Sequence, residues 1–144
     1  MPHEHIAAIR GFLAALEAAG GAPDQIPSFA LEIMPAGRSL QERVSAHFGG
    51  TNYVPTLEPL DDWRRSLPVV HRWLGEFVRP ERRDAVEAAF VALLAMAFPS
   101  ARWAKLILEG RGGAAFDPWY EAAWDDFVIE TEEEVYLLHL GVSD

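Results

Sequence analysis

Carboxylates stand close together at several points of this chain, and paired carboxylates are the groups that many hydrolases use for acid–base catalysis. They are Asp61 and Asp62, Asp125 and Asp126, and Glu130 with Glu132 to Glu134. Neighbouring residues of a helix or strand point in different directions, so a doublet does not by itself form a catalytic pair. We therefore predict helix caps for the aspartates and a solvated hairpin tip for the glutamates.

Histidine occurs five times, but no spacing typical of a metal site is present. His3 and His5 lie near the start of the chain, where two imidazoles alone would bind a metal weakly. His139 lies in an apolar run, which favours a structural histidine. Cysteine is absent, which excludes disulfide bonds and thiolate chemistry. We predict no metal and no cofactor.

Other catalytic signatures are also missing from the sequence. No serine lies in a GxSxG or SxxK motif. The glycine-rich segment 110–113 lacks the Gly-Lys-Ser/Thr ending of a phosphate-binding loop. We therefore predict no catalytic residue, although residues scattered along the chain can form a site that no motif reveals.

Acidic residues outnumber basic residues by 22 to 12, and the net charge is -10. The segment 112–144 contains nine acidic residues and neither lysine nor arginine. A surface of this kind repels nucleic acids and anionic membranes, because both bind proteins mainly through Lys and Arg. It attracts cationic partners instead.

Tryptophan is abundant, with five residues. Three are expected in the core: Trp63, Trp73 and Trp103. Asp117 and Pro118 predict the start of a short helix that carries Trp119, Tyr120 and Trp124 beside several acids. Aromatic side chains inside a charged rim are typical of protein interfaces. The alternative is a lid helix that packs these rings under a sheet.

The apolar periodicity predicts helices over 5–19, 40–48, 68–78 and 81–98. Ser39 and Glu42 predict a capping box, and Asp61 or Asp62 predicts a cap for a helix containing Trp63 that Pro68 interrupts or kinks. Strands are expected over 29–34, 102–109, 127–131 and 135–142. The segment 102–109 also fits a helix by periodicity, whereas 51–60 indicates an irregular connection.

These elements form an α+β fold in a single domain, 1–144. Its helix-rich first two-thirds would pack on a small sheet that includes a C-terminal β-hairpin. Both faces of 135–142 are apolar, which predicts an interior strand. The segment 88–98 is apolar nearly all round, which predicts a central helix.

At eleven residues this longest apolar run is shorter than the roughly 20 that span a bilayer. No signal sequence is recognisable, so a cytoplasmic protein is expected.

In being small, acidic, aromatic-rich and without catalytic motifs, the chain resembles bacterial immunity proteins and antitoxins. That resemblance implies an inhibitor that covers a basic toxin. The predicted contacts are Trp119, Glu121, Trp124, Asp125, Asp126, Glu130, Glu132, Glu133 and Glu134. One alternative is a small enzyme or ligand-binding domain whose pocket lies between the sheet and helix 68–78, near His71, His139 and Glu130. Another is an adaptor subunit that dimerises through the same aromatic residues.

Overall fold

The computed structural model describes residues 2–19, 25–51, 53–110 and 123–143, and it has an α+β fold, as predicted. Its helices are α1 (Pro2–Ala19), α2 (Leu40–His47), α3 (Leu67–Phe77) and α4 (Arg83–Ala97). Short 3₁₀ turns, Trp63–Ser66 and Pro80–Arg82, precede α3 and α4. Its strands are β1 (Ile26–Ile33), β2 (Tyr53–Pro59), β3 (Arg102–Gly110), β4 (Ala123–Glu130) and β5 (Val135–Ser143).

The strands form one antiparallel sheet in the order β1-β5-β4-β3-β2. Strands β4 and β5 form the predicted hairpin, in which Glu130 pairs with Val135. Strand β5 lies between β1 and β4, and every residue from 135 to 142 is buried. The prediction of an interior strand covered on both faces is therefore confirmed.

Helices cover both faces of this sheet, but unequally. Helices α1, α3 and α4 pack on one face, here called the helical face, against residues such as Phe127 and Leu138. Of the helices in the described ranges, α2 alone packs on the opposite face, here called the α2 face, where Val44 contacts the cluster that includes Val128 and Leu137. Because side chains alternate along a strand, neighbouring residues of β4 and β5 face different layers.

The apolar stripe of α3 shows why the helices of the helical face form where they do. Val70, Trp73, Leu74 and Phe77 recur at helical spacing, and all four are buried. Pro68 is accommodated in the first turn, where its missing N–H breaks no helical hydrogen bond. The predicted stripe is therefore confirmed, and the proline starts the helix instead of interrupting it.

The segment predicted as irregular, 51–60, contains the edge strand β2, so that prediction was wrong. Pro55 and Pro59 suggested a loop because proline cannot donate a hydrogen bond to a sheet. The backbone N–H of Leu60 donates to the carbonyl oxygen of Trp103 at 2.9 Å. Because every second residue of an antiparallel strand bonds to the same neighbour, the even-numbered residues of β2 form the hydrogen bonds to β3. The nitrogens of both prolines therefore face away from β3, and neither removes a ladder bond.

The predicted central helix 81–98 is α4, but it is not buried all round. Phe90, Leu94 and Ala97 are buried, whereas Met96 is 50% exposed. The solvent side is made largely of alanine, which raises the apolar count while adding little apolar surface. The helix therefore covers the sheet from one side, with Phe90 stacked on Phe12 of α1 at 5.0 Å between ring centroids.

Two of the three tryptophans predicted in the core, Trp73 and Trp103, are buried, and Trp63 is only partly buried beside Trp103. Trp124 was predicted on a short helix but lies in strand β4. The start of that helix, at 117–118, lies outside the described residues.

The predicted capping box is half confirmed. The Oγ of Ser39 accepts from the N–H of Glu42 at 3.1 Å, as expected. The carboxylate of Glu42 accepts from the N–H of Arg38 at 2.8 Å, one residue before the N-cap. Both bonds satisfy backbone N–H groups at the start of α2. Within the described ranges, no helix is long and apolar enough to cross a membrane.

Candidate functional site: an acidic cleft beside the hairpin

The turn between β4 and β5 is held by its own side chains. The N–H of Thr131 donates to the carbonyl oxygen of Glu134 at 2.9 Å, and the N–H of Glu134 donates to the Oγ1 of Thr131 at 3.0 Å. These bonds close a four-residue loop whose two central residues, Glu132 and Glu133, are exposed. The chain therefore presents two adjacent carboxylates on a fixed turn.

An open cleft of about 390 Å³ lies beside this turn, and we call it the hairpin cleft. Its wall comes from the start of α1 and from the end of α4 with the residues that follow. Ile6, Ala97 and Phe98 make this wall largely apolar, and His3 and Ser100 add polar groups to it. Thr131 to Glu134 form its acidic rim, and Tyr136 of β5 also lines it. A volume in this range is typical of ligand sites, roughly 300–1,000 Å³.

Tyr136 is the polar group of the cleft that lies deepest in the protein. The residue is 6% exposed, and its hydroxyl group makes no hydrogen bond to any residue that the structure describes. Burial raises the pKa of the Tyr136 phenol, and the negative charges of Glu134 and Glu133 raise it further, whereas Arg10 lowers it. The hydroxyl group therefore stays protonated at neutral pH.

The three rim glutamates differ in their pairing. Glu134 forms an ion pair with Arg43 of α2 at 3.1 Å, and that arginine also donates to the carbonyl oxygen of Pro35 at 2.8 Å. The ion pair between Glu134 and Arg43 therefore connects α2 with the hairpin. Glu132 and Glu133 form no ion pair with a residue in the described ranges. Their charges remain available to a partner.

The side chain of Asp125 lies on the helical face, where it contacts residues of other elements. It accepts from the Nε1 of Trp73 at 2.8 Å and from Arg72, and it lies 3.8 Å from the Nζ of Lys105. Its side chain is 12% exposed. Two cations therefore neutralise this carboxylate, and its role is to connect β4 with α3.

Asp126 lies on the α2 face, where its Oδ1 is 2.5 Å from the Nδ1 of His139. Both residues are buried. A carboxylate on one ring nitrogen can orient a catalytic imidazole, but catalysis also needs a nucleophile and access for substrate. The described residues contain no group of three or more potential metal ligands. The pair fits the structural histidine that the sequence predicts.

Comparisons of the chain with models of protein families, with curated proteins and with solved structures found no match. No relative therefore supplies a function, a ligand or a role for any residue. The basis for a function is the arrangement of the side chains themselves.

The structure brings together only part of the predicted contact set. Glu132, Glu133 and Glu134 share the rim of the hairpin cleft. Asp125 and Asp126 lie on opposite faces of β4 in the interior, and Glu130 at the end of that strand lies 4.0 Å from the Nε of Arg102. The half-buried Trp124 is on the α2 face, and the remaining two, Trp119 and Glu121, lie outside the described residues.

The pocket near His71 and His139 does not form in the described part of the chain. His71 is exposed on α3 and lies 2.7 Å from Glu87, whereas His139 lies on the opposite face of the sheet. The void between α3, α1 and the sheet is about 10 Å³ and almost entirely apolar, and it accommodates about one water molecule at most. Glu130 does not line it.

Sequence reasoning did not identify the floor of the hairpin cleft. Ile6, Phe98 and Tyr136 are far apart in sequence and read as ordinary core residues. One signal was present for Tyr136: it is a hydroxyl-bearing residue near the start of an apolar strand, two residues after the acidic turn. A polar group at that position is a candidate for the base of a site.

Proposed function

We propose that this chain is an acidic protein-binding domain and that the hairpin cleft is the surface that receives a basic partner. The observation that carries the proposal is the arrangement of Glu132 and Glu133, which are exposed at the rim of a cleft with an apolar floor. A desolvated apolar centre inside a polar rim is where proteins concentrate binding energy.

The distribution of charge supports this choice of partner. The net charge is -10, and nine acidic residues lie within 112–144. Asp125 and Glu134 are paired with basic residues from other elements, so the acids of the turn contribute most directly to an external field. Such a field accelerates the association of a cationic protein and weakens as salt is added.

In its more specific form, the proposal is a bacterial immunity-type or antitoxin-type inhibitor that acts in the cytoplasm and covers a basic toxin. Small size, strong acidity and the lack of a catalytic motif support it. A toxin that binds nucleic acid carries a cationic active site, which an acidic surface can block. Trp119 and Glu121 remain predicted contacts in this form.

Comparative capture tests the proposal. Tagged chain is incubated with a lysate of the organism that encodes it, at low salt, and bound proteins are identified by mass spectrometry. We expect one stoichiometric basic protein, which the doubly substituted Glu132→Lys/Glu133→Lys chain fails to retain. The matched control is Glu76→Lys/Glu81→Lys, which changes the net charge equally at two exposed residues remote from the cleft lining.

The two variants separate a local contact from a general charge effect. Loss of the partner from the hairpin variant alone supports the cleft as the binding surface. Equal retention by both variants contradicts the proposal, and so does the absence of any captured protein. Circular dichroism of both variants confirms that they are folded before the comparison.

A further inference from the structure

We propose that the hairpin cleft binds an arginine side chain of the partner, with its guanidinium group between the carboxylates of Glu132 and Glu133 and the hydroxyl group of Tyr136. This inference rests on the proposed function and names the chemical group that the site recognises. Three independent features of the cleft lead to it.

The apolar wall matches the aliphatic part of an arginine side chain. Ile6, Ala97 and Phe98 line the cleft opposite the acidic turn. Long basic side chains bury their methylene groups against apolar surface while the charged end reaches polar groups. A cleft with carbon on one side and carboxylates on the other therefore fits a cation on an aliphatic stem better than a small inorganic cation.

The two neighbouring carboxylates favour arginine over lysine. The rings of Phe98 and Tyr136 pack against each other at 5.4 Å between centroids, with their planes inclined by 58°, and both residues are buried. A planar guanidinium group donates to two carboxylates at once, whereas an ammonium group is a compact, strongly hydrated charge. The side chains of Glu132 and Glu133 supply the acceptors.

The hydroxyl group of Tyr136 supplies a polar contact at the base of the cleft. The residue lines the cleft, and its hydroxyl group makes no hydrogen bond to a described residue. Among the described residues, the enclosed side-chain polar atom without a partner is the Nε1 of Trp103, so the hydroxyl oxygen of Tyr136 remains accessible to a ligand. The hydroxyl oxygen can accept a hydrogen bond from a guanidinium N–H, and the hydroxyl group can donate one to a rim carboxylate.

The charges around the phenol are consistent with such an occupant. Burial raises the pKa of Tyr136, Glu134 and Glu133 raise it further, and Arg10 lowers it. Arg43 already neutralises Glu134, so an added cation would meet two uncompensated carboxylates beside a protonated hydroxyl group. That combination attracts a cation that can also donate hydrogen bonds.

The test uses short acetylated peptide amides in place of an unidentified partner. Gly-Arg-Gly is titrated into ¹⁵N-labelled chain and compared with Gly-citrulline-Gly, which has the same shape without the charge, and with Gly-Lys-Gly. We expect the arginine peptide to shift the backbone amide signals of Phe98, Ser100 and Ala101 and of residues 131–136. Citrulline should bind about tenfold more weakly or not at all, since hydrogen bonds to a charged group are stronger.

Variants assign the contributions of individual groups. Tyr136→Phe should weaken arginine binding several-fold, and Glu132→Gln/Glu133→Gln should weaken it about tenfold. The matched control Glu76→Gln/Glu81→Gln should leave the affinity unchanged. The dispersion of the amide spectrum verifies that each variant is folded.

Several results would overturn the inference: equal binding of arginine and citrulline peptides, signal shifts away from the cleft, an unaltered affinity in Tyr136→Phe, or an equal affinity for the lysine peptide. Failure of the arginine peptide with retention of a partner that depends on Glu132 and Glu133 would reject this inference alone. Failure of both experiments would reject the proposed function as well.

Discussion

Asp126 of β4 and His139 of β5 occupy opposite positions in the strand register, and their Oδ1 and Nδ1 atoms lie 2.5 Å apart in the interior of the α2 face. The preceding residue, Asp125, points to the helical face and accepts from Trp73. The two neighbouring aspartates therefore make their contacts in different layers of the fold, one on each face of the sheet. The alternation of side chains along a strand is the reason, because two neighbouring residues cannot share a face.

Replacing Asp126 by alanine should strongly destabilise the protein. The substitution removes the carboxylate from a buried histidine, and breaking a buried polar pair by removing one partner costs about 3–5 kcal/mol. Urea unfolding at neutral pH measures the loss. The control is Glu130→Gln on the same strand, whose distant ion pair with the exposed Arg102 should contribute less than about 1 kcal/mol. Similar losses in both variants would show that the buried pair is not a major source of stability.

At Asp125, asparagine and alanine should have different effects. Asparagine keeps an oxygen that can accept from the Nε1 of Trp73, whereas alanine leaves that buried indole N–H without this acceptor. We expect Asp125→Ala to lower the free energy of unfolding by about 1–3 kcal/mol and Asp125→Asn to lower it by less. Urea unfolding compares the two variants directly. If asparagine costs as much as alanine, the charge on this carboxylate matters more than its hydrogen bond to Trp73.

Tyr136 should make stability depend on pH in the alkaline range. Its pKa in the folded chain is raised above the ordinary value of 10.0, so its contribution is fully present below pH 10.0 and is lost as the pH rises through the folded-state pKa. Tyr136→Phe removes this component. As the pH rises from 10.0 through the folded-state pKa, the free energy of unfolding of the variant should therefore fall less steeply than that of the unaltered chain. Parallel curves from alkaline urea titrations would contradict a shifted phenol at this position.

The helices and the hairpin could be predicted because their signals are local. The stripe of Val70, Trp73, Leu74 and Phe77 is complete within one helix, and the two apolar runs of the hairpin flank a short acidic turn. Strand β2 could not be predicted in the same way. Its two prolines disrupt a strand pattern, and only the pairing with β3 shows that their nitrogens face outward.

The candidate site was only partly predictable for a related reason. The acidic rim is continuous in sequence, so Glu132 to Glu134 stood out before the fold was known. The floor comes from three separate elements, represented by Ile6, Phe98 and Tyr136, and only tertiary packing brings them together. The sequence also could not show that Asp125 and Asp126 face inward, since charged doublets are usually exposed.

The most direct test of the account is the rate at which the captured partner associates with the chain. The rate constant is measured for the unaltered chain, for Glu132→Lys/Glu133→Lys and for the control Glu76→Lys/Glu81→Lys, at about 50 mM and about 500 mM salt. We predict that at low salt the hairpin variant associates at least about tenfold more slowly than the control and loses much of its salt dependence. Equal rate constants for the two substituted chains would show that the acidic hairpin is not the binding surface.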